Sequence, residues 1–388
     1  MQRTETGART PISLVGLGGA GSRIVTQAAP RLPRGSRVRA LNTDRRALEE
    51  STGATRVQMG AERTGGLGCG GDAKVGRLCV EDDLKQVVKL VEGCRLLILV
   101  AGMGGGTASG GAPAVVRAAR QAGCLTLAFV TMPFEFEGGQ RVATAREGLE
   151  TLNAAADAVV VIPQERLLDH VGGDEVAETF HRANEVLACC VAALCNLLMR
   201  PGFINLDFAD LEALVRHGEG TCALGMGEAE GEARAERAVE ALVNGPLLEK
   251  GGVIARAEAI LVGIMGGENL TVREVGTVMD ALRARCPDAC RISMGTFLDD
   301  AAHGKLSVVA LVSESWVDAK PKTAEGPSTS KAEKPRGRRR SRAAGQQELL
   351  SLDFPGKGRF KNIEPTFLDG EDLDVPTYVR RGIAIEKK

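Results

Sequence analysis

From Gly102 to Pro113 the chain runs through six glycines, and few folds have a use for such a stretch. It follows Arg95 to Ala101, a short apolar run of the kind that a fully buried parallel strand shows. Beyond it, Pro113 to Ala122 reads as a helix with proline in its first turn. A strand, a glycine loop and a helix start together present unpaired backbone N–H groups and a positive dipole end to an anion. Small residues let that backbone close around phosphate oxygens, and Thr107 and Ser109 add hydroxyls.

The common glycine-loop motifs fit badly. A P-loop ends in Gly-Lys-Ser/Thr, and no lysine lies between Gly102 and Pro113. The dinucleotide fingerprint belongs early in a chain with an acidic residue about 20 positions on, whereas this loop follows the fourth expected strand. Two further glycine loops precede it. Pro11 to Gly16 reads as a strand that runs into Gly16 to Arg23 and a helix from Ile24 to Leu32. Val38 to Leu41 reads as the next strand and ends in Asn42, Thr43 and Asp44; Thr64 to Arg77 is a third glycine-rich loop entering a helix. Three such loops would converge on the carboxyl edge of one parallel sheet and form a phosphate cradle.

The run from Gly104 resembles the tubulin signature, G-G-G-T-G-[ST]-G, in the form found in FtsZ, the bacterial tubulin-like division GTPase, with Ala108 where that family has glycine. The other loops resemble FtsZ in order and spacing, including the N-T-D ending at Asp44. The resemblance implies an α/β fold of the tubulin/FtsZ type, in which a parallel-sheet nucleotide-binding domain is joined by a long central helix to a smaller α/β domain. It implies that Gly104, Gly105, Gly106, Thr107, Ala108, Ser109 and Gly110 hold phosphate. By the same likeness Gly18, Gly19, Ala20 and Gly21 contact the α- and β-phosphates, and Gly70, Gly71, Asp72 and Ala73 close over the γ-phosphate of GTP. The stretch from Pro133 to Arg141 is similar to P-F-x-F-E-G-x-x-R, which implies ribose contacts from Glu137 and a place by the sugar and base for Arg141. Without those neighbours Glu137 would simply suit the acidic first turn of a helix.

Asp174 to Met199 is an unusually long helical pattern, apolar most of the way round after Glu185, as suits a helix in the middle of a molecule. Its first turns carry Phe180, Asn184 and Glu185. These match the family's base pocket, an aromatic stacked on guanine and an acid reading its edge, with Glu185 replacing the usual Asp and Gln164 replacing an Asn. A carboxylate can accept from both N1–H and the 2-amino group of guanine, a pair of donors that adenine lacks.

Pro201 and Gly202 stop the helix, and Asn205, Asp207 and Asp210 then alternate with apolar residues. The plain reading is a capped helix N-terminus. Carboxylates beside a triphosphate repel it unless a metal intervenes, and these lie at the far end of a helix of about 26 residues, roughly 39 Å long. If they touch nucleotide, it is a neighbour's. The stretch resembles the FtsZ synergy loop, N-x-D-F-A-D, which implies that Asp207 and Asp210 orient water onto the γ-phosphate of the adjoining subunit in a head-to-tail filament. Mg²⁺, bound mainly through the nucleotide, would offset phosphate charge.

The remaining strands, from Gly220 to Met226, Ala257 to Gly263, Arg291 to Phe297 and Lys305 to Val312, with helices between them, make the smaller domain. The expected limits are a flexible 1–10, a GTP-binding domain 11–173, the central helix 174–199, and synergy loop and second domain 200–314. A disordered linker 315–357 and a docking peptide 358–388 follow. The linker is rich in Lys, Pro, Ser, Ala and Arg, and its basic run 336–342 lacks interleaved aromatics, so no specific nucleic acid is expected. Asp372 to Arg381 resembles the FtsZ terminal peptide, whose partner in the family is a membrane tether of the FtsA type; membrane contact would be indirect.

No run of 18 apolar residues is present, and Met1 to Arg9 lacks the apolar core of a signal peptide. Ten cysteines without a C-x-x-C pair and four histidines without metal-site spacing indicate a reduced, cytoplasmic protein with no metal centre of its own, and the resemblance implies that it acts at the division site. A paralogue that binds nucleotide as a scaffold and hydrolyses poorly is the rival reading, since the Ala108 methyl could crowd a phosphate. A more distant one is an NAD-linked dehydrogenase built on the first loop.

Overall fold

The computed structural model describes residues 12–171, 175–217, 221–299, 302, 304–314, 367–368 and 371–372. The chain divides into two units, Met1–Lys322 and Thr323–Lys388. In the first, ten strands build one sheet: β1 (Ile12–Leu17), β2 (Arg37–Asn42), β3 (Thr55–Gln58), β4 (Leu96–Gly102), β5 (Leu125–Met132), β6 (Ala158–Pro163), β7 (Thr221–Glu230), β8 (Ala259–Gly266), β9 (Arg291–Leu298) and β10 (Lys305–Ser313). Their order is β3-β2-β1-β4-β5-β6-β7-β10-β8-β9. Everything from β3 to β7 pairs in parallel, while β10 runs antiparallel to both β7 and β8.

The apolar runs of β4 and β5 bury both faces because helices cover the sheet on each side. Leu14, Ile98, Phe129 and Val160 face one core, and Val15, Leu99, Ala128 and Val130 face the other. The first core is shared with the central helix, Val176–Met199, through Leu187, Val191 and Leu194. It continues through Leu261, Val309 and Leu311, so one apolar layer underlies both halves of the sheet. Ala177–Met199 is long and apolar enough to cross a membrane, which the composition did not suggest. With 61% of its most apolar window buried, it serves here as a core helix. A third core holds β8 and β10 against helices Arg234–Asn244 and Val272–Arg283.

Helix starts are where pattern reading and structure part. The first helix is Gly18–Ala28, six residues ahead of the Ile24 expected, and Gly106–Gln121 begins seven residues ahead of Pro113. Pro113 therefore sits inside the helix, not in its first turn. Glycine is a poor helix former, so propensity points to a later start; close tertiary packing overrides it. Strand β3 is implied in the sequence only by counting Arg95 to Ala101 as the fourth strand, with no residues assigned to it.

In the second unit Phe367–Leu368 pairs antiparallel with Glu371–Asp372. The N-terminus 1–10 expected to be flexible, the expected linker 315–357 and, apart from 367–368 and 371–372, the expected docking peptide 358–388 lie outside the described residues.

Candidate functional site

Register brings four strand ends together. Leu17 of β1 pairs with Ala101 of β4, Gly102 with Thr131 of β5, and Met132 with Pro163 of β6. The loops leaving these ends open at one edge, where ligands bind in parallel α/β sheets. An open cleft of about 250 Å³ lies there. Its walls are Gly18, Gly19 and Ala20 after β1, Gly102, Met103 and Gly105 to Ala108 after β4, and Pro133, Glu137 and Arg141 after β5. Gln164 after β6, Arg23 from the first helix, and Phe180 and Asn184 from the central helix complete it.

Two pairs of helix starts near this edge differ in how they are capped. Asp44 caps Arg45–Glu49 by accepting from Arg46 and Ala47, and Asp72 caps Ala73–Asp82 by accepting from Lys74 at 2.7 Å and Val75 at 3.3 Å. Gly18–Ala28 and Gly106–Gln121 instead start after Leu17 and Gly105, whose side chains hold no acceptor. Their first-turn N–H groups stay unpaired by any cap and both face the cleft, which is the arrangement an anion satisfies. Arg23 adds a cation in the first helix; its position two residues beyond Gly21 was the available signal for it.

The other glycine-loop residues support this cradle, Gly21, Gly104 and Gly110 from outside its lining. A β-carbon on Gly21 would strike the Val100 carbonyl, and one on Gly110 would strike the Ala73 carbonyl. Both glycines serve close packing. Gly104, at φ +93°, donates its N–H to the buried Ser109 hydroxyl at 2.8 Å. Thr107 shares a buried hydrogen bond with Thr43 at 2.7 Å. The Ala108 side chain is 3% exposed and belongs to the core. Gly70 and Gly71 lie in the loop before Ala73, which packs beside Gly106 through Cys69 and Asp72.

At the other end of the cleft, Phe134 is buried and meets Phe180 edge-on, with ring centroids 5.3 Å apart. Glu137 accepts from the Phe134 N–H at 2.9 Å and pairs with Arg141 at 3.0 Å. Residues four apart share a helix face, and two such rows sort the central helix. Phe180 and Asn184 line the cleft; His181 and Glu185 turn away from it, His181 meeting Gln27 of the first helix at 2.9 Å and Glu185 pairing at 2.6 Å with Arg31 in the turn Ala29–Arg31 that follows that helix.

A model of the Tubulin/FtsZ family GTPase domain matches residues 11–172, and one of the FtsZ family C-terminal domain matches 220–315. Cell division protein FtsZ of Haloferax mediterranei is 36% identical over 304 residues, which are 78% of this chain and 80% of that one. The chain belongs to the tubulin/FtsZ family. Cell division protein FtsZ 1 of Archaeoglobus fulgidus is likewise 36% identical, covering 78% of this chain and 82% of its own. The empty FtsZ dimer of M. jannaschii superposes with a TM-score of 0.74 at 32% identity, covering 80% of this chain and 89% of that one. These relatives are archaeal, so the likeness carries no bacterial source. As an FtsZ-type protein the chain is a polymerising division GTPase that binds GTP and GDP. The poorly hydrolysing scaffold is not favoured.

The stretch resembling the FtsZ synergy loop stands away from the cleft. Asn205 accepts from the Gly202 N–H at 2.8 Å, and Asp207 accepts from Ala209 at 3.2 Å, ahead of helix Phe208–His217. Asp210 accepts from the Ser293 hydroxyl at 3.2 Å. None of the three belongs to the cleft lining.

Proposed function

We propose that GTP lies in the cleft with its phosphates on the two uncapped helix N-termini, its ribose by Glu137 and Arg141, and its base against Phe180. Pro133, Gln164 and Asn184 close that end. Hydrolysis is completed by a second copy: in a head-to-tail filament, Asn205, Asp207 and Asp210 of one subunit meet the nucleotide of the next. The observation that carries this reading is separation. Phe180 and Asn184 sit near the start of the 24-residue central helix, and the acidic loop follows its end, about 28 Å of helix beyond Phe180. The chain's own carboxylates cannot reach its own cleft across that distance. Asp207 and Asp210 would position and polarise the attacking water.

Glu137 is the sole carboxylate among the described lining residues, and Arg141 neutralises it. Mg²⁺ would therefore be held through phosphate oxygens, where it screens their charge. The site of action is the cytoplasm at the division plane, with Asp372 to Arg381 docking a membrane-tethering partner of the FtsA type.

The test is phosphate release from GTP against protein concentration, for the native chain and for Asp210→Ala. Specific activity should rise steeply above a threshold concentration and fall at least about 100-fold in the variant, the scale of losing a positioned catalytic group. Release proportional to protein and indifferent to Asp210 would show that each subunit hydrolyses alone.

A further inference from the structure

Cys286 and Cys290 stand at the two ends of the turn that carries helix Val272–Arg283 into β9. The Cys286 N–H donates to the Leu282 carbonyl at 3.2 Å and to the Arg283 carbonyl at 3.3 Å, which fixes it to the end of the helix. The Cys290 N–H donates to the Pro287 carbonyl at 2.9 Å and closes the turn, in which proline locks its own φ. Both side chains rest half-buried against the third core, and the Cys290 thiol donates to the Cys286 sulfur. Between them Pro287, Asp288 and Ala289 are exposed.

Free cysteine often serves only as a small apolar filler. That use suits the other eight. Six of them are buried, and the half-buried Cys69 and Cys189 each have a buried thiol, Cys79 and Cys190, as neighbour. Cys286 and Cys290 differ because two half-exposed thiols meet each other. The thiolate is the form that attacks a disulfide. The hydrogen bond from Cys290 shifts the Cys286 thiol down against the opposing effect of burial. The same bond, reinforced by burial, keeps the proton on Cys290. One sulfur is a ready nucleophile, and a resolving thiol is in contact with it.

We propose that Cys286 and Cys290 form a two-thiol redox site that low-molecular-weight disulfides of the glutathione class oxidise reversibly. The Cys286 thiolate attacks one sulfur of oxidised glutathione, forming a mixed disulfide and releasing a glutathione thiolate. Cys290 gives its proton to that thiolate and attacks the Cys286 sulfur, releasing the second glutathione. Two cysteine thiols are oxidised, one disulfide is reduced to two thiols, and excess reduced glutathione runs the exchange backwards. The new bond ties the end of the helix to the start of β9, the outermost strand of the sheet on that side. None of the described residues lining the nucleotide cleft lies in this stretch, so the site stands apart from the reading of the cleft.

The test exposes the folded full-length chain to oxidised glutathione, quenches with acid, alkylates the remaining thiols and maps tryptic peptides by mass. Arg285 and Arg291 bracket both cysteines, so a single peptide, Cys286 to Arg291, holds the pair. It should lose two hydrogens and escape alkylation at least about 10-fold faster than any other cysteine reacts, and reduced glutathione should restore both thiols. Cys290→Ser should stop at a glutathione adduct on Cys286, and Cys286→Ser should slow the first attack at least about 10-fold. The proposal is overturned if the native peptide stays reduced, if it halts at the mixed disulfide, or if other cysteines oxidise before it. The native chain decides this by itself, so the result stands even where a substitution misfolds.

Discussion

Arg234 is 6% exposed and pairs with Glu274 through two hydrogen bonds, at 2.6 and 3.1 Å. Glu274 also accepts from the Thr271 N–H and hydroxyl at the start of helix Val272–Arg283. The guanidinium first, and these donors after it, hold the Glu274 carboxyl at about 2, below its ordinary 4.5. The unfolded chain therefore takes the proton first. The pair's stabilisation is complete above about pH 4.5 and drains away as pH falls toward 2, an effect of the order of 2–3 kcal/mol. Denaturant midpoints measured from pH 6 down to pH 2.5 should fall, and in Glu274→Gln the slope should flatten. The glycines divide at this scale as well. Gly21 and Gly110 are legible in the sequence as loop glycines, but their task is to let backbones touch, which depends on the Val100 and Ala73 carbonyls from other elements.

Arg45–Glu49 and Ala73–Asp82 carry aspartate caps, whereas Gly18–Ala28 and Gly106–Gln121 carry none and line the cleft with their first turns, and that combination marks the anion site. Gly105, the cap position of Gly106–Gln121, has extended backbone at φ −90° and ψ 154°, and a β-carbon there would meet open space. Gly105→Asp should fit and fold, cap its own helix and place a negative charge where phosphate is expected. Thermal stability should hold or rise by a few tenths of a kcal/mol. Nucleotide affinity should fall by at least about 10-fold, since the first-turn donors are taken and the charges repel. Titration calorimetry with GDP beside a thermal melt checks both; unchanged affinity would remove that helix from the site. The strands were easy to read because buried parallel strands are apolar throughout, whereas the glycine-rich helix starts were read as loops because propensity opposes them.

Within the first unit the parallel and antiparallel halves of the sheet meet at a narrow seam, where among the described residues β6 and β7 pair at Val159–Thr221 and Val160–Cys222. The apolar layer shared with the central helix must hold them together. Cys190 and Cys195 on that helix and Cys222 at the seam are buried, and burial pushes each thiol up to about 12. The Cys286 thiol is shifted down by its hydrogen bond from Cys290. Pulse alkylation read by mass spectrometry should modify Cys286 in the native protein, and the three buried thiols only as the halves come apart in denaturant. Early labelling of Cys222 would mean that the seam opens on its own.

The chain's sequence was enough to establish the strand-loop-helix order, the three glycine loops and the acidic loop past the central helix, because these are local patterns of apolar runs and small or charged residues. It left open which neighbours face the ligand. Successive residues on a helix point about 100° apart. The choice between Asn184 and Glu185 is therefore a choice of helix rotation, and no local pattern contains it. Tertiary structure decides it through Arg31, 154 positions away in the turn after the first helix, which draws Glu185 aside and leaves Asn184 on the wall of the cleft.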